Sequence, residues 1–384
     1  MRYPSRMFRT AICAVCLLGV TALHAADSEP AKEKPKPVSF RDPADGWFDV
    51  SDFLDTVYGF VPVIMPITEP AVGYGAAGAL VFIDRHVQGL RPNILAVGGL
   101  GTENGTRGFF GAHLGTWMDG KLRTTVALAD MDVNLDFFGL GGDRTGTGGL
   151  DYTLSPRGGM LGANYKMGES PVWLGLRYTA VKTEVTLNAA NPGLPGIGSG
   201  DFDLQLTALT PSITLDLRDN FFTPIHGWYV DLSVPIFREA LGGDRNFETA
   251  NLTGIHYRPL SQSLYFSGRA TAKTSSEGTP FFLRPYVSLR GVEALRYQGE
   301  QAAEIEAEVR WQFHPRFSAV GFVGAGMARG NVADNDSDKN VTTGGVGFRY
   351  MIARKHGLHM GLDVGFGPDN PILYVVFGNA WLRP

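Results

Sequence analysis

The sequence predicts an all-β chain, folded as a transmembrane antiparallel β-barrel of sixteen strands. Three observations carry this. From Phe60 onward, apolar and polar residues alternate in runs broken by Gly, Pro, Asn and Asp, which is the period-two pattern of strands with unlike faces. The connections between runs fall into a short set and a long set. The composition is rich in glycine and aromatics, with 50 Gly in 384 residues, 11% aromatics, 19% charged residues and an ordinary 44% hydrophobic content. Such a chain is too apolar and too weakly charged to be disordered. No window holds about 18 consecutive apolar residues, which excludes a spanning helix but not a spanning barrel, whose strands are only half apolar.

The elements follow in order. Arg2, Arg6 and Arg9 precede an apolar core from Ala11 to Leu23 and the small residues Ala25-Ala26, so residues 1–25 read as a cleaved secretory signal. Cys13 and Cys16 lie inside it, which leaves the expected mature chain without thiols. Setting aside the three signal arginines turns the formal charge of −4 into −7, and no basic excess points to nucleic acid. Residues 26–46, dominated by Pro, Lys and Glu, read as a disordered periplasmic lead-in. Residues 47–59 read as a short amphipathic segment, with Trp47, Val50, Leu54 and Tyr58 on one stripe. Residues 60–384 remain for the barrel.

Its sixteen expected strands lie at 60–68, 72–84, 91–102, 106–117, 121–137, 157–168, 171–187, 202–218, 227–238, 245–257, 263–275, 303–313, 316–329, 340–353, 356–366 and 371–381. A tilted spanning strand needs about 9–11 residues, which these runs supply. The clearest is Glu304 to Phe313: Glu304, Glu306, Glu308, Arg310 and Gln312 share one face, while Ile305, Ala307, Val309, Trp311 and Phe313 share the other. In a membrane barrel that polar side is a water-filled interior wall. Connections near Asp119, Glu169-Ser170, His314-Pro315 and Arg354-Lys355 are short, whereas 138–156, 188–201, 276–302 and 330–339 are long and rich in Gly and Asp. Short turns on one side and long loops on the other mark an outer-membrane barrel. A sandwich or propeller also alternates but does not predict that asymmetry. The even count puts both ends on the periplasmic side. Pro211 falls within a run and is expected to sit at a bulge.

Three segments carry a family resemblance. Asp216, Arg218, Asp219, Asn220, Pro224, Gly227 and Trp228 form a turn motif between the eighth and ninth strands. Leu289-Arg290-Gly291 lies in the longest loop, and Val375 to Trp381 closes the chain with Phe377, Gly378 and Trp381. Together these resemble the BamA/TamA outer-membrane superfamily, bacterial surface antigen type, over about residues 47–381. Taken alone, the first motif is a structural turn shaped by Pro224 and Gly227, and the loop reads equally as a solvated surface loop. The resemblance implies a periplasmic turn motif, and a long extracellular loop that folds back into the lumen. There Arg290 would meet the acidic wall of Glu304, Glu306 and Glu308 in bidentate, charge-assisted contacts. It also implies a C-terminal signal read by the barrel-assembly machinery, with Trp381 at the membrane interface. The implied surroundings are outer-membrane lipid and lipopolysaccharide. Val292 stands where the family prefers an aromatic, and Gly324 where many members carry Asp. Between Ala26 and Phe60 there is too little chain for one of the polypeptide-binding POTRA repeats that usually precede the barrel. The resemblance is therefore to the barrel-only branch, and a periplasmic partner supplying such repeats would favour an assembly or translocation role over a passive one.

A first strand at 60–68 would close against the last. It contains Pro62 and Pro66, whose missing amide hydrogens fall on one edge. That makes a weak seam between first and last strands the expectation, unless this stretch is an extended lead-in. No metal, cofactor or enzymatic set is expected. Asp130, Asp132, Asn134 and Asp136 alternate, as do Asp334, Asp336 and Asp338, but both lack the Gly and Glu of a calcium loop. The histidines are scattered, and no Gly-x-Ser-x-Gly elbow occurs. Two functions stay open: a membrane-assembly or translocation factor passing polypeptide or lipid, and a passive or plugged pore or structural surface antigen.

Overall fold

The computed structural model describes residues 38–56, 59–84, 93–137, 150–187, 203–332, 335–336 and 338–381. The expected signal and residues 26–37 of the lead-in lie outside them. Alternation becomes strand wherever it was legible. The strands are β1 (Gly59–Ile67), β2 (Gly75–Ile83), β3 (Ile94–Thr102), β4 (Arg107–Trp117), β5 (Leu122–Phe137), β6 (Leu150–Lys166), β7 (Val172–Leu187) and β8 (Asp203–Asp216). After them comes β9, in two pieces (Gly227–Ser233 and Ile236–Phe237). It is followed by β10 (Phe247–Pro259), β11 (Leu264–Ser275), β12 (Gln301–His314), β13 (Phe317–Arg329), β14 (Lys339–Ala353), β15 (Leu358–Phe366) and β16 (Ile372–Phe377).

These segments form one sheet of 17 strands. Each pairs antiparallel with its chain neighbour, from β1 against β2 to β15 against β16. Both pieces of β9 lie between β8 and β10 without a change of register. They occupy one place, interrupted at Val234-Pro235. Pro211 faces that interruption, and its carbonyl accepts the Val234 amide at 3.1 Å. The bulge expected at Pro211 is therefore absent: its pairing with Leu176 of β7 is in unbroken register. The break on the other side comes from Pro235, which has no amide hydrogen to give. β6 starts earlier than expected because Tyr152 points inward and packs on Phe281 at 5.4 Å.

Inside and outside are clearest on β12. Ile305 is 61% exposed while Glu304 and Glu306 are each 3% exposed. Outward positions such as Val323, Val346 and Leu362 continue the exposed apolar belt, with Trp311, Phe313 and Phe348 toward the end that carries the short turns. That is a lipid-facing wall with an interfacial aromatic girdle. Among the described residues no helix is long and apolar enough to cross a membrane. The long loops occupy the other end; 138–149 and 188–202 lie outside the described residues. Pro62 and Pro66 do lie in a strand, opposite Leu80 and Ala76 of β2. Among the described residues no ladder joins β1 to β16.

Two expectations change. Residues 39–46 were to belong to a disordered lead-in; instead they form a bend in which Arg41 bridges to Phe48. The bend is held because Arg316, in the β12–β13 turn, binds Asp42 and Asp45. Among the described residues of the amphipathic segment 47–59, α1 (Ser51–Thr56) is helical, and residues 57–58 lie outside the described residues. The second change is at the C-terminus. Phe377 faces outward, but Trp381 lies inside the barrel, 7% exposed, against Tyr229, Ile255 and Tyr257. Gly378 causes this: its φ of +74° turns the chain inward, a conformation that costs other residues about 1–3 kcal/mol. Its amide donates to the His359 carbonyl at 2.7 Å. Asn379 then donates to the Phe222 carbonyl at 3.1 Å and accepts the Trp381 amide at 2.8 Å. A side chain on Gly378 would run into Phe222. Gly378→Val should therefore lower the temperature at which the barrel loses its compact, fast-migrating band on unheated gels. It should also open Trp381 to an aqueous quencher.

Candidate functional site

The sheet places its charges on one side of the lumen. Along β12, period two turns Glu304, Glu306, Glu308 and Arg310 inward. β11 adds Arg269 and Lys273, β14 adds Arg349, and β15 adds Asp363, which is fully buried. Arg269 lies 3.3 Å from both Glu304 and Glu306, and Lys273 lies 3.6 Å from Glu304. Arg349 grips Asp363 through both terminal nitrogens. A buried carboxylate without such partners would be strongly penalised.

The 276–300 segment packs against the inward faces of the strands. Phe281 and Phe282 pack on Tyr152, Val185, Leu204, Leu206 and Phe247 of one wall. Val287, Leu289 and Val292 then pack on Ala328 and Val341 of the facing wall. Room for them comes from small residues. An added Cβ at Gly324 would meet Leu289 at 2.9 Å, and one at Gly326 would meet Val287 at 2.5 Å. Gly324, the departure from an acidic family position, thus seats the loop sterically. Backbone bonds tie the loop as well. Ser288 donates to Glu304 at 2.5 Å, Arg269 donates to the Ser288 carbonyl at 2.6 Å, and Lys273 donates to the Tyr286 carbonyl at 2.8 Å.

Arg290 is the centre of the arrangement. Its Nε donates to Glu306 at 2.5 Å, and its Nη1 lies 2.7 Å from both Asp363 and Glu308. The guanidinium sits 3.6 Å over the Phe322 ring and 5.7 Å from that of Trp381. Three carboxylates from two strands thus surround one cation, whose planar fork suits them as a lysine would not. Gly291, at φ +92°, lies against the backbone of 365–367, where a side chain on Gly291, Gly365 or Gly367 would overlap the facing backbone. The Gly291 amide donates to the Tyr374 hydroxyl of β16 at 2.9 Å. The Ala294 amide donates to Glu69, just after β1, at 3.1 Å. The loop therefore reaches both ends of the sheet.

Of the expected partners, Glu306 and Glu308 meet Arg290 directly, while Glu304 holds the loop through Ser288 and Arg269. The reading of residues missed Asp363, Arg349, Arg269 and Tyr374. The turn motif also forms a unit. Arg218 binds Asp216 through two nitrogens at 2.8 and 2.9 Å and lies 4.5 Å from the Tyr229 ring. Asp219 accepts the Ile225 and His226 amides at 3.0 and 3.1 Å, immediately after Pro224. Asn220 accepts those of Phe222 and Thr223 at 2.8 and 3.0 Å. Gly227 needs its φ of +107°, and a side chain there would strike Leu217. This turn carries the floor under Gly378 and Trp381. Asp130 and Asp132 pair with Arg157 and Arg107 at exposed positions. Among the described residues no group of three or more His, Cys, Asp or Glu is placed to hold a metal.

A family model described as the Omp85 superfamily domain matches residues 142–369. No curated relative matches the chain in sequence. Among solved structures, BamA from Haemophilus ducreyi lacking POTRA domains 1–3 is similar with a TM-score of 0.56 at 11% identity, over 84% of this chain and 70% of that one. CdiB from Escherichia coli matches with a TM-score of 0.56 at 15% identity, over 82% of this chain and 61% of that one. CdiB from Acinetobacter baumannii gives 0.54 at 11%, over 85% and 66%. The chain thus spans less than two thirds of the length of either CdiB structure.

The loop also carries a titratable contact. Glu293 is pushed up to about 7, first by burial and then by the Asp136 and Glu69 carboxylates, with Asp369 adding and Arg296 opposing. An acid raised on docking favours the docked loop fully below its ordinary value of 4.5. That contribution is lost as pH rises toward about 7. Amide hydrogen exchange over residues 286–299, corrected for intrinsic rates, should therefore show several-fold less protection at pH 8 than at pH 5. Glu293→Gln should remove most of that difference.

Proposed function

The chain belongs to the Omp85 superfamily, and from that premise we propose that it is an integral outer-membrane barrel that passes polypeptide or lipid, with residues 276–300 as its lumen gate. The observation that carries this reading is the docking of Arg290 onto Glu306, Glu308 and Asp363. A permanent plug needs only apolar packing, such as that of Phe281 and Phe282. A buried ion cluster is a costly way to gain stability but a sharp way to specify one docked position. In this reading the short-turn end faces the periplasm, where a partner would hand over the substrate, and the long loops face outward among lipopolysaccharide. The C-terminal segment around Phe377 and Gly378 serves assembly of the barrel itself.

Conductance in planar bilayers tests the proposal. Wild type should give a small, fluctuating current. Arg290→Ala leaves Glu308 without its ion-pair partner and takes one cation from Glu306 and Asp363, which keep Arg269 and Arg349. Breaking such a buried cluster costs about 3–5 kcal/mol and should give a larger, steadier current. Arg290→Lys, which keeps the charge but loses the fork, should fall between. Identical currents in all three would mean that the cluster does not hold a gate, leaving a static plug or structural surface antigen as the reading.

A further inference from the structure

The bend at 39–56 is built more strongly than a tether requires. Arg316, 1% exposed in the turn between β12 and β13, receives three carboxylates from it. Nη2 binds Asp42 at 2.5 Å, Nε binds Asp45 at 2.6 Å, and Nη1 binds Asp49 at 2.6 Å. The β14–β15 turn adds a second row. Arg354 lies 3.2 Å from Asp42, Lys355 lies 3.2 and 3.0 Å from Asp52 and Asp55, and His356 lies 2.9 Å from Asp55. The Val50 amide donates to the Ile352 carbonyl at 2.8 Å. Every acidic residue of the bend is thus turned onto the barrel.

Its aromatic residues are left on the other side. Phe40, Trp47 and Phe48 are 48, 45 and 50% exposed. Phe40 stacks on Phe48 at 6.2 Å and meets Phe53 at 5.9 Å. This patch continues the outward face of the barrel. The Trp47 ring meets Phe317 edge-on at 5.3 Å, and Phe317 in turn meets Phe348 at 5.6 Å and Tyr350 at 5.3 Å. Tyr350 donates to the Phe48 carbonyl at 2.5 Å.

We propose that residues 39–56 form an interfacial foot, with Phe40, Trp47 and Phe48 seated at the headgroup–acyl boundary of the periplasmic leaflet beside β12 to β14. The inference rests on the outer-membrane reading above. Continuity with the lipid-facing girdle argues for lipid as the occupant: the same bilayer that covers Phe317 and Phe348 meets the foot next. Aromatic rings are the side chains that settle at this depth. The carboxylates are already matched by Arg316, Arg354, Lys355 and His356, so they do not oppose seating at the headgroups. The aromatic rings, rather than the single exposed cation of the segment, Arg41, carry the contact. Its place is beside the seam, because α1 lies on the β14–β15 turn and the chain then enters β1.

Site-directed spin labelling tests this. Cys13→Ser and Cys16→Ser give a background for single probes at Phe40→Cys, Phe48→Cys and the outward barrel position Val323→Cys. The protein is reconstituted in phosphatidylcholine vesicles, and collision with oxygen is compared with collision with a water-soluble nickel complex. The expected result is a deep probe at 323 and shallow but lipid-immersed probes at 40 and 48, unchanged by salt. Adding Arg316→Ala should release both foot probes into water while leaving 323 unchanged. A lipid-immersed 323 with water-exposed 40 and 48 would overturn the foot alone. Foot probes shielded from both collision partners would overturn it in favour of a protein contact. A water-exposed 323 would overturn the membrane reading and the foot with it. Foot probes that keep their depth in the Arg316→Ala background would overturn the anchoring role of Arg316.

Discussion

A guanidinium buried in a protein is costly unless acceptors meet it, and the interior of this barrel around the loop is arranged on that requirement, with carboxylates as the acceptors. Arg290 arrives on a loop, so its partners must come from strands far apart in sequence: Glu306 and Glu308 from β12, Asp363 from β15. Those acids need cations of their own, which Arg269 and Arg349 supply. The path of the loop follows. Leu289 and Val287 must lie over Gly324 and Gly326, and Gly291 must meet Gly365 and Gly367 backbone to backbone. Removing the cation would leave Glu308 unpaired and the loop held only by its apolar packing and its backbone bonds.

The same device appears at the short-turn end. Arg316 also holds three carboxylates, and again the cation joins a segment outside the sheet to the sheet. The polarity is reversed, because there the barrel supplies the arginine and the appended segment the acids. An arginine suits both places because its five donors are fixed in one plane, so one side chain satisfies several acids in one geometry. Apolar contacts alone would allow either segment to slide; a triply bonded guanidinium allows one position.

How much of this was legible depends on whether the information lies within one strand or between strands. The Glu304 to Phe313 run displays its two faces in ten consecutive residues, so the acidic wall was readable. The Asp216 to Gly227 turn was readable because its bonds are local. Asp363 and Arg349 were not, because neither has a neighbouring charge on its own strand face. Their meaning appears only when β14 and β15 lie side by side, though the inward phase of His359, Gly361, Asp363 and Gly365 held a signal. Arg316 read only as the first residue of a strand, since its partners lie 267 to 274 positions away. For the same reason Asp42 and Asp45 passed for solvated charge in a disordered lead-in. Trp381 was placed at the interface because a terminal aromatic favours it. The positive φ of Gly378 and the acceptor at Phe222 redirected it inward.

The loop tip also determines how the two ends of the sheet relate. Gly291 is bonded to Tyr374 on β16, and three residues later Ala294 is bonded to Glu69 just beyond β1. The backbone of the loop therefore spans from the last strand to the first, where no strand ladder is present among the described residues. Separating β1 from β16 must break one of these two bonds or move the loop, and moving the loop must break the Arg290 cluster. Loop docking and seam closure are in that case linked equilibria. The coupling is reciprocal: by as much as the docked loop favours these two bonds, the two bonds favour the docked loop.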